Sequence, residues 1–149
     1  MNNEKRDAIL LRRIGASLVD YFIIFLFTFL YIDEFGNPEE ASLIIDPLIA
    51  LGIPIFWFVY LPIAEGILSA TVGHYVMGIV VLTDEKEEIS MKQAFTRRIA
   101  DTFELVPCLG SIAFFVAKGN PEGKRIGDKW AGTRVLYKKG NEDKVEFPI

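Results

Sequence analysis

The sequence predicts a mainly helical membrane protein. It comprises two full transmembrane helices, a re-entrant or amphipathic helical hairpin (Met91–Lys118), and a small cytoplasmic antiparallel β-element pairing Gly78–Ser90 with Ala131–Tyr137. Three observations lead there. From Ile14 to Ile32, nineteen residues hold one charge, Asp20, and at ~1.5 Å each they match the ~30 Å hydrocarbon core of a bilayer. A second apolar run, Pro47 to Leu68, holds only Glu65. None of the 16 lysines and arginines lies in the loop between these runs.

At 149 residues the chain is read as a single membrane domain, 1–149. The first helix opens with Arg12 and Arg13. Its apolar stretch exceeds the ~7–15 residues of a signal peptide, contains Asp20 and lacks a small-residue cleavage site before Asp33, so a retained helix is expected. The loop Asp33–Asp46 carries Asp33, Glu34, Glu39, Glu40 and Asp46, with a turn at Gly36-Asn37-Pro38. In the second run Pro54 and Pro62 are expected to bend the helix, with Trp57 and Tyr60 as packing residues. Gly78–Ser90 reads as a hairpin whose second arm, Glu87–Ser90, returns along the first; Ala131–Tyr137 supplies a third short strand.

Between the strands, the uncharged stretch Leu105–Ala117 is interrupted by Pro107 and Gly110. A run of ~10–14 residues is better read as re-entrant or protein-buried than as a span. If both strand segments share one sheet, the chain between them must return to the same face. The basic residues agree: four precede the first span, four lie in Gly73–Arg98 and eight follow from Lys118, all on one face. The positive-inside rule makes that face cytoplasmic, with both termini inside and the Asp33–Asp46 loop outside a cell membrane.

The polar residues of the apolar segments gather near that face. Arg13 and Asp20 lie seven apart, on one helical face but two turns from each other, so each needs a partner elsewhere. Arg97 and Arg98 stand four and three residues before Asp101, a spacing that permits pairing along a helix, and Glu104 continues that face. The candidate ion or proton site, or charge network, is therefore Arg13, Asp20, Glu65, Arg98, Asp101, Glu104, Arg125 and Asp128. Two readings of Asp20 stay open: a proton- or cation-binding carboxylate, or a structural partner for Arg98, Arg125 or Arg13. Glu65 has a third, contact with interfacial water. Asp128 reads as a loop cap or a salt bridge to Arg125. Arg12, Arg13, Arg97 and Arg98 include helix-end anchors to anionic headgroups. His74 is expected at the interface, and Cys108 as a small buried hydrophobe.

A single cysteine and a single histidine exclude a disulfide framework and a His-based metal site, and no cofactor is expected. No GxSxG, HExxH, P-loop or CxxC is present, so an enzyme is not expected. The basic tail Lys118–Lys144 is interspersed with acids and reads as a solvated surface, not a nucleic-acid site. Leu11-Arg12-Arg13-Ile14-Gly15-Ala16 faintly echoes Thr96-Arg97-Arg98-Ile99-Ala100-Asp101, each opening an apolar segment.

These residues resemble the RDD family of integral membrane proteins, named for one arginine and two aspartates. Arg13 (with Arg12 as the register rival) and Asp20 match its first helix, and Asp128 in Lys124-Arg125-Ile126-Gly127-Asp128 matches its second aspartate, ahead of Gly132-Thr133. Thr71-Val72-Gly73-His74 with Gly78-Ile79-Val80-Val81 matches the middle motif, His74 standing where lysine is usual and Gly127 where histidine is commoner. The resemblance implies transport, including cation/proton exchange, or modulation of another membrane protein. The expected partners are thus the lipid bilayer, a proton or monovalent cation, and a homo-oligomer or another membrane protein. One chain has too few helices to enclose a pathway by itself.

Overall fold

The computed structural model describes residues 3–36, 46–104 and 111–138. Helix α1, Asn3–Phe35, has 33 residues and at ~1.5 Å per residue is about 50 Å long, well beyond a bilayer's hydrocarbon thickness. It starts earlier than the apolar run predicts because Ile9 and Leu10 are buried, Ile9 in the core cluster. The second apolar run is helical throughout but interrupted at one residue. It divides into α2 (Pro47–Ala50) and α3 (Gly52–Leu68), joined at Leu51. Asp46 caps α2 by accepting from the Leu48 N–H at 2.8 Å. Pro54 falls in the first turn of α3, where its missing N–H is not needed, whereas Pro62 lies inside the helix.

Glu4–Phe35 and Pro47–Leu68 are both long and apolar enough to cross a membrane, and only 11 % of the most apolar stretch of each is buried within the molecule. Their outer faces are therefore apolar and exposed. Phe27 stacks on Phe56 at 3.7 Å, Phe56 on Tyr60 at 5.6 Å, and the Tyr31 hydroxyl donates to the Ile49 carbonyl at 2.8 Å, holding α1 to α2 and α3.

Beyond the spans come α4 (Val72–Val76), β1 (Ile79–Thr83), α5 (Met91–Glu104), α6 (Ser111–Gly119), α7 (Ile126–Ala131) and β2 (Thr133–Tyr137). β1 and β2 pair antiparallel with Ile79 opposite Tyr137 and Thr83 opposite Thr133. Alternate residues of each strand face inward, and Ile79, Val81, Val135 and Tyr137 join Ile9, Ala16, Ile89 and Ala94 in one apolar core. The expected third strand is reduced to a single bridge, Leu82 to Glu88. Ser90 explains this: it exchanges hydrogen bonds with Gln93, starting α5 before a strand can extend.

Met91–Lys118 holds two helices, α5 packed between α3 and α7, and α6 leaning on α1. Pro107, Cys108 and Gly110, and the turn at Asn37-Pro38, lie outside the described residues. α7 approaches α5 closely at Gly127, where a β-carbon would stand 3.0 Å from the Arg97 carbonyl and 3.2 Å from the Ala100 β-carbon.

Candidate functional site

The cluster begins with α5, whose neighbouring residues Arg97 and Arg98 are 2 % and 6 % exposed. Arg97 Nε donates to Glu65 Oε2 at 3.1 Å and its Nη1 to Asp128 Oδ1 and, at 3.0 Å, to Thr133 Oγ1. Arg98 Nη2 donates to Glu65 Oε1, and its Nη1 to Asp101 Oδ2 at 2.5 Å, the pairing the three-residue spacing permits. From α1, Arg13 donates to Asp128 Oδ2 at 2.7 Å and to the Gly123 carbonyl at 3.2 Å. Asp128 stands in the first turn of α7 and also accepts from the Arg125 backbone N–H at 2.8 Å. Four arginines (Arg13, Arg97, Arg98, Arg125) thus meet four acids (Asp20, Glu65, Asp101, Asp128) at one end of α1 and α3.

Asp20 is held differently. Its Oδ2 accepts from Thr71 Oγ1 at 2.6 Å, and its Oδ1 from the Gly73 N–H at 2.9 Å and the Tyr60 hydroxyl at 3.3 Å. The Thr71 hydroxyl also accepts from the His74 N–H at 3.1 Å, capping α4. Gly73 allows this approach: a β-carbon there would collide with the Ala16 carbonyl and stand 2.8 Å from Asp20 Oδ2. Beside Asp20 lies a cavity of about 20 Å³, lined by Ser17, Tyr21, His74, Arg98 and Arg125, with room for one water. Arg98 lines it, and the buried Arg98 Nε has no hydrogen-bond partner among the described residues.

Several expectations are corrected. Asp20 makes no ion pair with Arg13, Arg98 or Arg125 among the described residues, because each of those guanidinium groups is turned to another acid. Glu65 does not touch interfacial water: it is fully buried at 0 % exposure between Arg97 and Arg98. Asp128 is the expected cap, accepting from the Arg125 backbone N–H, but its side-chain ion pairs are with Arg13 and Arg97, not Arg125, whose guanidinium lies 3.9 Å from Asp101. Arg13, Arg97 and Arg98 are buried in protein, so none is a headgroup anchor, and Arg12 donates to the Met77 carbonyl at 2.5 Å. His74 is buried against Glu65, not interfacial. The Glu104 side chain lies outside what is described. Arg97, Tyr60 and Thr71 belong to the site although the sequence did not single them out for it; Arg97's spacing to Asp101 was the available signal.

Burial pulls the His74 imidazole down to about 3; the attraction of Glu65 opposes this and the nearby Arg98, Arg97 and Arg13 add to it. His74 Nδ1 lies 3.6 Å from Glu65 Oε1, beyond a good hydrogen bond, and 3.5 Å from the Thr71 N–H, a donor that needs an unprotonated ring nitrogen. The imidazole is neutral and the Glu65 contact is not an ion pair at neutral pH. Burial alone would raise the Asp128 carboxyl, but Arg13, Arg97 and Arg125 hold it far below the ordinary carboxylate range. Among the described residues no group of three or more His, Cys, Asp or Glu converges as a metal site.

The side chains at the named motif positions, Arg13 and Asp128, are joined directly, while Asp20 docks the Thr71–His74 turn onto α1. No curated protein and no solved structure matches the chain. The model of the RDD family matches residues 8–132, so this membrane-like chain belongs to the RDD family.

Proposed function

We propose that the protein moves protons or monovalent cations across the membrane, with Asp20 as the exchanging group. One observation carries this reading. Among the described residues, Glu65, Asp101 and Asp128 are each locked by guanidinium groups, whereas Asp20 is held by a backbone N–H and two hydroxyls. Protonating a buried ion-paired acid strands its arginine, at a cost of several kcal/mol. Hydroxyls both donate and accept, so those of Thr71 and Tyr60 can turn to suit a neutral carboxylic acid. The water-sized cavity beside Asp20 supports this reading, since a water held there reaches the carboxylate and can carry its proton.

In this reading α5 and α6 form a re-entrant hairpin that seals the site from the cytoplasmic side, where both termini lie. Two spans do not enclose a pathway, so the working unit is a homo-oligomer formed through the exposed faces of α1 and α3. Purified protein in proteoliposomes is expected to show cation-dependent proton flux that Asp20→Asn abolishes while the melting transition persists. Wild-type vesicles without flux under any imposed gradient would end the proposal. A second reading rests on those same exposed faces, which carry Phe22, Phe25, Phe29, Ile55 and Ile67 and suit an accessory role against another membrane protein. Crosslinking in native membranes separates the two: only self-crosslinked species would count against a dedicated partner.

A further inference from the structure

We propose that one acyl chain of an anionic phospholipid lies in a groove along α3 and α4, with its phosphate at Lys138. Two adjoining hollows form the groove. One, of about 270 Å³, lies beside Val59, Tyr60 and Ile63; the other, of about 280 Å³, continues past Val72 and Tyr75 to Lys138. They share Ala64 and Leu68, the small alanine side chain leaving room where its neighbours are large. From Val59 to Leu68 the groove runs about 14 Å along the helix axis at ~1.5 Å per residue, the length of an extended segment of fatty acyl chain.

Its walls are apolar, and the helix that carries it is one of the two candidate membrane spans. Where α3 ends, α4 turns Val72, Tyr75 and Val76 outward at 45 %, 65 % and 61 % exposure. An outward-facing tyrosine beside a lysine at the end of a span is the arrangement of a membrane interface. Lys138 Nζ sits 4.0 Å from the centre of the Tyr75 ring and makes no ion pair among the described residues. A cation at the mouth of a hydrocarbon groove is complementary to a lipid phosphate above an acyl chain. Tyr60 and Thr71, whose hydroxyls hold Asp20, line the two hollows, so the lipid would buttress the side chains that fix that carboxylate. Lipid binding is read without flux and stands or falls apart from the transport proposal.

Native mass spectrometry of the full chain in detergent, titrated with palmitoyl-oleoyl phosphatidylglycerol or the matching phosphatidylcholine, tests it. The wild type is expected to retain one phosphatidylglycerol per chain about fivefold more than phosphatidylcholine, the preference one interfacial lysine supplies. Lys138→Gln should equalise the two lipids, and Ala64→Phe should lower retention of both. Lys138 is exposed, so its replacement leaves the fold intact and decides the headgroup contact by itself. Equal retention of the two lipids by the wild type, or an unchanged preference in Lys138→Gln, overturns the proposal. Loss of a protein dimer in Ala64→Phe with lipid retention unchanged would overturn it too, giving the groove to a second copy.

Discussion

Arg97 is the side chain whose removal exposes the most uncompensated charge, because it bridges Glu65 on α3 and Asp128 on α7. Arg97→Met is expected to destabilise the protein by about 3–5 kcal/mol, the usual cost of breaking a buried pair on one side. Chemical denaturation in detergent measures this, and a loss under about 1 kcal/mol would mean the pairs are solvated. His74 gives a pH dependence. The unfolded imidazole takes up its proton near its ordinary value of 6.5, while the folded one does so only near 3. Between those values the unfolded state binds more protons, so stability falls as the pH drops, by up to ~1.4 kcal/mol per unit. His74→Gln should flatten the melting-temperature profile between pH 6.5 and 5.5, above the range where ordinary carboxylates titrate. A wild-type profile already flat in that window would show that His74 is charged in the fold.

At the scale of elements, α4 depends on two residues that dock it onto α1. Thr71 both caps the helix and donates to Asp20, so Thr71→Ala should cost about 1–2 kcal/mol while Thr71→Ser retains most of the stability. Equal losses in the two variants would assign the effect to the methyl group instead. Gly73→Ala forces a β-carbon against the Ala16 carbonyl and is expected to cost about 1–3 kcal/mol through displacement of α4. Periodicity and length marked the spans, the Ile79–Thr83 strand and the Thr133–Tyr137 strand. Pro54 marked the break at Leu51, since it has no N–H to give the Ala50 carbonyl, but nothing marked the loss of the third strand, which depends on the Ser90–Gln93 exchange starting α5 early.

For the whole molecule, three buried arginines and the half-buried Arg125 balance four buried acids, which lets the charged end of the molecule stay compact without a large net charge inside it. The same economy does not extend to the spans, whose outer faces remain apolar and exposed. In mild detergent the protein is expected to run at a multiple of its 16.8 kDa chain mass, measured by light scattering corrected for detergent. A strictly monomeric particle would remove the oligomer that transport requires.

The sequence by itself determined the two candidate spans, the paired strand segments, the family motifs and the gathering of acids and bases at one end. Hydropathy, β-branching and residue spacing are properties of short stretches, and Arg98 with Asp101 could be paired because both lie on one helix. Only the tertiary structure decided which acid each remaining arginine takes. Arg13 and Asp128 are 115 residues apart, and Arg97 and Glu65 are 32, so nothing in the local pattern distinguishes those pairings from their rivals. The packing of α1, α3, α5 and α7 chose them, and in doing so left Asp20 to the hydroxyls of Thr71 and Tyr60 and the N–H of Gly73.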